Sequence, residues 1–232
     1  MPRHGRFRVR NEAMSLEAAE RSIDIGIDVS HNNGAIDWKA VARAGIRFAY
    51  AKATEGANTV DHAFAANRAG MKDAGILRGA YHFFRPDRKP ETQAERFLRT
   101  LGQLGEGDLP PALDLEETSA KCDRWRNVEA ARRVPLAVEW LERVEKALGR
   151  APVVYTRRSF VQDVLGNPGP LVRYPLWVAH YTCAGAPAMP PGWPAWAIWQ
   201  HTDCGRIEGV SAPLDMNRFN GSLAGFAAAP PR

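Results

Sequence analysis

From Ile23 onward, short runs of apolar alternation take turns with longer stretches whose apolar residues recur at helical spacing. Ile23 to Ser30 sets Ile23, Ile25 and Ile27 against Asp24, Gly26 and Asp28, the period of a strand. Asp37 suits the N-cap of a short helix through Ala44, which Gly45 stops. Ile46–Ala53 forms a second strand, and Val60–Ala74 a helix closed by Gly75. Leu77–Phe84 is the third strand. The helix over Thr92–Leu104 follows it, with Ala94, Phe97, Leu98, Leu101 and Leu104 on one stripe. Ala112–Glu116 is the fourth strand. Pro135 then suits the first turn of a helix through Leu148, which Gly149 ends. Pro152–Thr156 is the fifth strand and Ser159–Leu165 a short helix. After that only strands remain: Leu176–Tyr181, Trp196–His201 and a segment ending near Asp215.

Alternation of strand and helix implies a parallel sheet with helices outside it. Eight strands with outward apolar faces suggest closure. The fold class expected is therefore α/β: a distorted (β/α)-barrel of five strand–helix units followed by three strands, TIM-barrel-like. Functional groups of such barrels lie at the C-terminal ends of the strands, where Asp28, Asp114, Glu116 and Asp215 are expected. Asp114 and Glu116, two apart on a strand, share one face while Leu113 and Leu115 share the other. Adjacent acids raise each other's pKa, so one can stay protonated near neutrality. A protonated acid beside an ionised one is the equipment of glycoside hydrolysis. A lone Asp-x-Glu reads more readily as two solvated acids at a strand end. Four acids at strand ends, from distant parts of the chain, are hard to explain that way.

Composition adds limits. The chain has 232 residues, 45% of them hydrophobic, and no apolar run approaches the roughly 20 residues of a membrane span. Net charge is +5, yet the first ten residues hold four Arg and no acid. Setting those four aside leaves 27 basic side chains against 26 acids. The body is thus near neutral, unlike a nucleic-acid groove with clustered Lys and Arg. Residues 1–22 show no apolar leader and are expected to be a loosely attached basic extension; the barrel domain spans 23–226 and a tail 227–232. The three cysteines, Cys122, Cys183 and Cys204, fit no metal motif. Cys183 and Cys204 each follow a late strand, leaving a bridge between them or two free thiols as alternatives.

Eight short motifs occur in one order: Asp28-Val29-Ser30, Lys52-Ala53-Thr54-Glu55-Gly56, Gly79-Ala80-Tyr81-His82-Phe83, Leu113-Asp114-Leu115-Glu116, Tyr155-Thr156, Trp177-Val178-Ala179-His180-Tyr181, Trp199-Gln200 and Asp215-Met216-Asn217. In this order they resemble glycoside hydrolase family 25, the Chalaropsis-type lysozymes or N-acetylmuramidases, over about Ile23 to Phe226. The resemblance implies cleavage of the β-1,4 bond between N-acetylmuramic acid and N-acetylglucosamine in peptidoglycan glycan strands, with no metal or organic cofactor. It also implies Glu116 as general acid, Asp114 assisting, and Asp28 and Asp215 as the remaining acids. Near the strand ends, Tyr81, Tyr155, Trp177 and Tyr181 are candidates to line the cleft, or else to fill the barrel; Gln200 and Asn217 are groove candidates. His82 is placed beside Glu116 or in the interior, and Lys52 is expected to pair with Glu55. Asn32-Asn33 and His201 depart from the family's usual residues at the groove rim. A chitinase-like glycosidase and an inactive glycan-binding barrel are the alternatives. The expected setting is a monomer acting on the cell wall, released like a phage endolysin or by a non-standard export route.

Overall fold

The computed structural model describes residues 23–119 and 123–228. The chain runs β1 (Ile25–Val29), α1 (Trp38–Arg43), β2 (Phe48–Glu55), β3 (Thr59–Val60), α2 (Phe64–Asp73), β4 (Leu77–Phe83), α3 (Pro90–Leu101), β5 (Ala112–Asp114), α4 (Ala130–Leu148), β6 (Val153–Arg157), α5 (Arg158–Phe160), β7 (Leu176–Ala179), β8 (Ile198–Gly205), β9 (Leu214–Phe219) and α6 (Leu223–Ala228). The strand order is β1-β9-β8-β7-β6-β5-β4-β2, and β1 also pairs with β2, so eight strands close on themselves. Five strand–helix units precede β7, β8 and β9, as the periodicity implied. No helix among the described residues is long and apolar enough to cross a membrane.

Two apolar clusters sit on either side of the barrel wall. Between strands and helices lie Val41, Phe97, Trp140, Leu141 and Val178, among others. Inside the barrel lie Phe48, Tyr50, Ala112, Val153, Trp177, Ile198 and Phe219. The interior rings need room from glycines. A Cβ on Gly26 would stand 2.4 Å from the Phe48 ring, and one on Gly79 would stand 2.2 Å from Tyr50. Tyr50 cannot easily step aside, because its hydroxyl donates to the Pro110 carbonyl at 2.9 Å.

Several local expectations change. Asp37 caps α1 as expected, accepting from the Lys39 and Ala40 amides. α2 starts at Phe64, because Thr59 and Val60 instead fold back antiparallel on Glu55 and Thr54. α4 begins at Ala130, so Pro135 lies inside it and not in its first turn. Good helix formers ahead of the proline outweigh the one amide donor it removes. β5 stops at Asp114, before Glu116. Asp215 stands near the start of its strand where the end was expected: β9 starts at Leu214 and runs antiparallel to β1, with Asp215 opposite Asp28. Because β9 is reversed, its first residues stand at the same mouth as the last residues of the parallel strands. α6, unforeseen, carries the fold to Ala228, two residues past the expected domain end. Cys183 and Cys204 are exposed free thiols, so no bridge joins them. β7 ends at Ala179 and the chain turns away, whereas β8 continues through Cys204 in its hairpin with β9. Cys122 and the basic extension lie outside the described residues.

Candidate active site

Nine of the ten candidates line one cleft of about 290 Å³ at the barrel mouth: Asp28, Tyr81, Asp114, Glu116, Tyr155, Trp177, Tyr181, Gln200 and Asp215. Ser30, Asn32, Lys52 and Phe83 complete its wall. A larger hollow of about 390 Å³, between Tyr174, Trp193 and Phe226, holds none of these acids. Chemistry, and not size, marks the first as the site. The tenth candidate, Asn217, is fully buried and lies beneath the cleft.

Asn217 and Gln200 hold Asp28. The Asn217 Nδ2 donates to Asp28 Oδ2 at 2.8 Å, and Gln200 Nε2 donates to the same oxygen at 2.9 Å. Each amide is oriented in turn. Trp177 Nε1 donates to Asn217 Oδ1 at 2.8 Å, and the Tyr155 and Tyr181 hydroxyls both donate to Gln200 Oε1 at 2.9 Å. Tyr155 and Trp177 are therefore barrel filling and cleft floor at once, packed edge to face with centroids 5.0 Å apart. Tyr181 is half exposed on the rim.

Asp114 ends β5, buried, and its Oδ1 has no hydrogen-bond partner among the described residues. A buried carboxylate oxygen with nothing to accept from is costly unless a ligand supplies the donor. Glu116 lies just past the strand in an irregular segment. Trp125, buried against Phe84 and Phe160, pins it there by donating its Nε1–H to the Glu116 carbonyl at 2.8 Å. Next to it, Glu117 pairs with Arg157 at 2.5 Å.

Burial dominates the electrostatics. It pushes Glu116 up from 4.5 to about 7, with Glu117 and Asp28 adding to the rise while Arg157 and Lys52 oppose it. Burial, then the Glu116 charge, pushes Asp114 well above the usual carboxylate range; Lys52 draws it back. Asp215 rises to about 8, again by burial first and Asp28 second. Burial also takes Asp28 to about 6, against the pull of the Asn217 and Gln200 donors. The sequence spacing attributed such shifts to the neighbouring carboxylate. Desolvation is the larger cause.

Other expectations resolve outside the cleft. Of the two expectations for His82, the interior one holds, for the ring is fully buried and does not bond Glu116. It sits between sheet and helices, bonded to Thr54 Oγ1 at 2.7 Å and Gln93 Oε1 at 3.1 Å, and stacked on Trp140. Burial drops its pKa to about 4. Lys52 pairs with Glu55 at 2.6 Å as expected, and Arg85 joins the same carboxylate. Sequence reasoning missed Trp125, and it missed Arg157 and Arg158, whose only signal is their place directly after the Tyr155-Thr156 strand end. No three His, Cys, Asp or Glu side chains among the described residues are grouped to hold a metal ion.

Residues 27–210 match the model for glycosyl hydrolases family 25. Lysozyme M1 of Streptomyces globisporus is 39% identical over 209 residues, covering 88% of this chain and 70% of that one. The crystal structure of a bacterial lysozyme from Streptomyces coelicolor superposes with a TM-score of 0.84 at 37% identity, covering 91% of this chain and 98% of that one. A family GH25 lysozyme from Aspergillus fumigatus superposes with a TM-score of 0.80 at 28% identity, covering 89% and 98%. A family model matched over most of the chain, and relatives alike to this extent, place the chain: it belongs to glycosyl hydrolases family 25.

Proposed function

We propose that this glycoside hydrolase is a peptidoglycan muramidase, cleaving the β-1,4 bond between N-acetylmuramic acid and N-acetylglucosamine with Glu116 as the general acid. The observation that carries the assignment is the Glu116–Asp114 pair. A carboxyl of pKa about 7 adjoins a buried carboxylate with an unpartnered oxygen. Like charges this close favour holding one proton between them near neutral pH.

The chemistry follows from that proton. Glu116 gives it to the glycosidic oxygen, which then leaves with the electron pair of the broken C–O bond. Positive charge develops at the anomeric carbon and needs an anion or nucleophile there. Asp114 assists: its free Oδ1 suits the N–H of the 2-acetamido group, whose carbonyl oxygen attacks the anomeric carbon. Water then attacks the same carbon, the acetamido oxygen leaves, and Glu116 takes the water's proton and is restored. When the proton the pair shares sits on Glu116, Asp114 is the ionised partner, a state the neighbouring Lys52 ammonium favours. Asp28, set by two amides, supplies negative charge to the cleft above about pH 6, and Asp215 opposite it, raised to about 8, suits a sugar hydroxyl. Tyr81, Tyr155, Trp177 and Tyr181 supply ring faces and hydroxyls. One chain holds every group of the site, so a monomer suffices, and the substrate puts the site of action at the cell wall.

The test is mass spectrometry of digested peptidoglycan. New reducing ends on muramic acid are the expected product. Reducing ends on glucosamine would refute the bond assignment. Turnover of chitin in preference to walls would move the protein to a chitinase-like class, and binding without turnover would make it a glycan-binding barrel.

A further inference from the structure

A second pocket adjoins the cleft and shares Glu116, Tyr155 and Tyr181 with it. It encloses about 420 Å³, and Arg157, Arg158 and Gln162 form its far wall. The general acid thus stands on the border of two pockets. A general acid must reach the oxygen between the reacting sugar and the leaving sugar. The four acids assign the first pocket to the reacting sugar, so the second lies on the leaving side.

The two guanidiniums differ in what they already hold. Arg157 is tied to Glu117 at 2.5 Å. Arg158 is exposed and has no carboxylate within ion-pair reach among the described residues; its Nε–H meets Gln162 Oε1 at 3.4 Å. Its remaining N–H groups are a ready fork for a carboxylate. Resting on the muramidase assignment, we infer that this pocket is a specificity subsite: the leaving N-acetylglucosamine sits beside Glu116, and Arg158 on the far wall receives a carboxylate carried by the muramic acid that follows it along the strand. Two sources share that chemistry: the lactyl carboxylate of a peptide-free sugar and the carboxylates of an attached peptide stem.

The test compares the full chain with Arg158→Ala and Arg158→Lys on three substrates: peptide-bearing glycan strands, peptide-free strands with free lactyl carboxylates, and the same strands with those carboxylates converted to neutral amides. Exposed ion pairs are worth up to a factor of about five. Arg158→Ala is therefore expected to raise KM about three- to five-fold on a carboxylate-bearing substrate, with kcat within about two-fold. Arg158→Lys should recover part of the loss, and high salt should shrink it. A rise confined to peptide-bearing strands identifies the stem carboxylates; a rise confined to peptide-free strands identifies the lactyl group. An equal rise on the amidated strands, or none on any substrate, overturns the subsite while leaving the muramidase assignment standing. Failure of the unaltered protein to cut all three overturns both.

Discussion

Replacing Glu116 with Gln separates what the carboxyl does for catalysis from what it costs the fold. Its pKa rises from 4.5 to about 7 on folding. At about 1.4 kcal/mol per unit, the folded state disfavours the ionised group by about 3 kcal/mol. The sign follows from where the proton sits. Between pH 4.5 and about 7 the folded protein keeps the proton while the unfolded chain has lost it, so stability falls as pH rises through that window and levels off above it. Gln has no proton to lose. Glu116→Gln should match the unaltered protein within about 1 kcal/mol at pH 4 and exceed its stability by about 3 kcal/mol at pH 8. The other acids titrate in both proteins, and relief of their repulsion acts in the same direction. Urea unfolding across this pH range measures the gap, provided the slope with denaturant is unchanged. Hydrolysis should drop about 10²- to 10⁴-fold at the same time, the usual share of general acid catalysis. A gap that does not change with pH would refute the buried, raised carboxyl. Undiminished turnover would refute the proton donor.

Three further outcomes are expected. Asn217→Ala removes one of two donors to Asp28 and strands the Trp177 Nε1–H; unfolding should ease by about 2–4 kcal/mol, and carbon NMR of the Asp28 carboxyl should show its pKa moving above about 6. Gly79→Ala pushes a methyl into the Tyr50 ring at 2.2 Å and should cost about 1–3 kcal/mol in urea unfolding, with Tyr50→Leu in the same chain recovering part; an unaltered midpoint would contradict the packed interior. Dithiothreitol should leave the melting temperature unchanged, since Cys183 and Cys204 are free, and a fall of several degrees would reveal a bridge.

What the sequence discloses about this site and what it hides have different physical origins. Strand and helix order shows in the sequence because each period records a local choice of inward face. Asp28 and Asp114 could be placed because both stand at the ends of apolar strands. Asp215 was brought to the right mouth by the wrong reason: a single strand carries no mark of its direction, and only its pairing with β1 reveals it. The Thr59–Val60 strand is too short to show a period. The clamp on Asp28 is more deeply hidden. Gln200 and Asn217 stand 172 and 189 residues away from it, and they meet it only because the last strands close the barrel against the first. Residue spacing likewise supplies the type of acid and its neighbour, but not its proton. Asp-x-Glu alone suggests mutual repulsion, a modest effect in water. Burial at a closed mouth is what lifts Glu116 to about 7, and burial is a property of the assembled barrel. The catalytic competence of Glu116 therefore depends on barrel closure as much as on the residue itself, and a substitution that loosens β1 from β9 should lower that pKa without touching the motif that contains it.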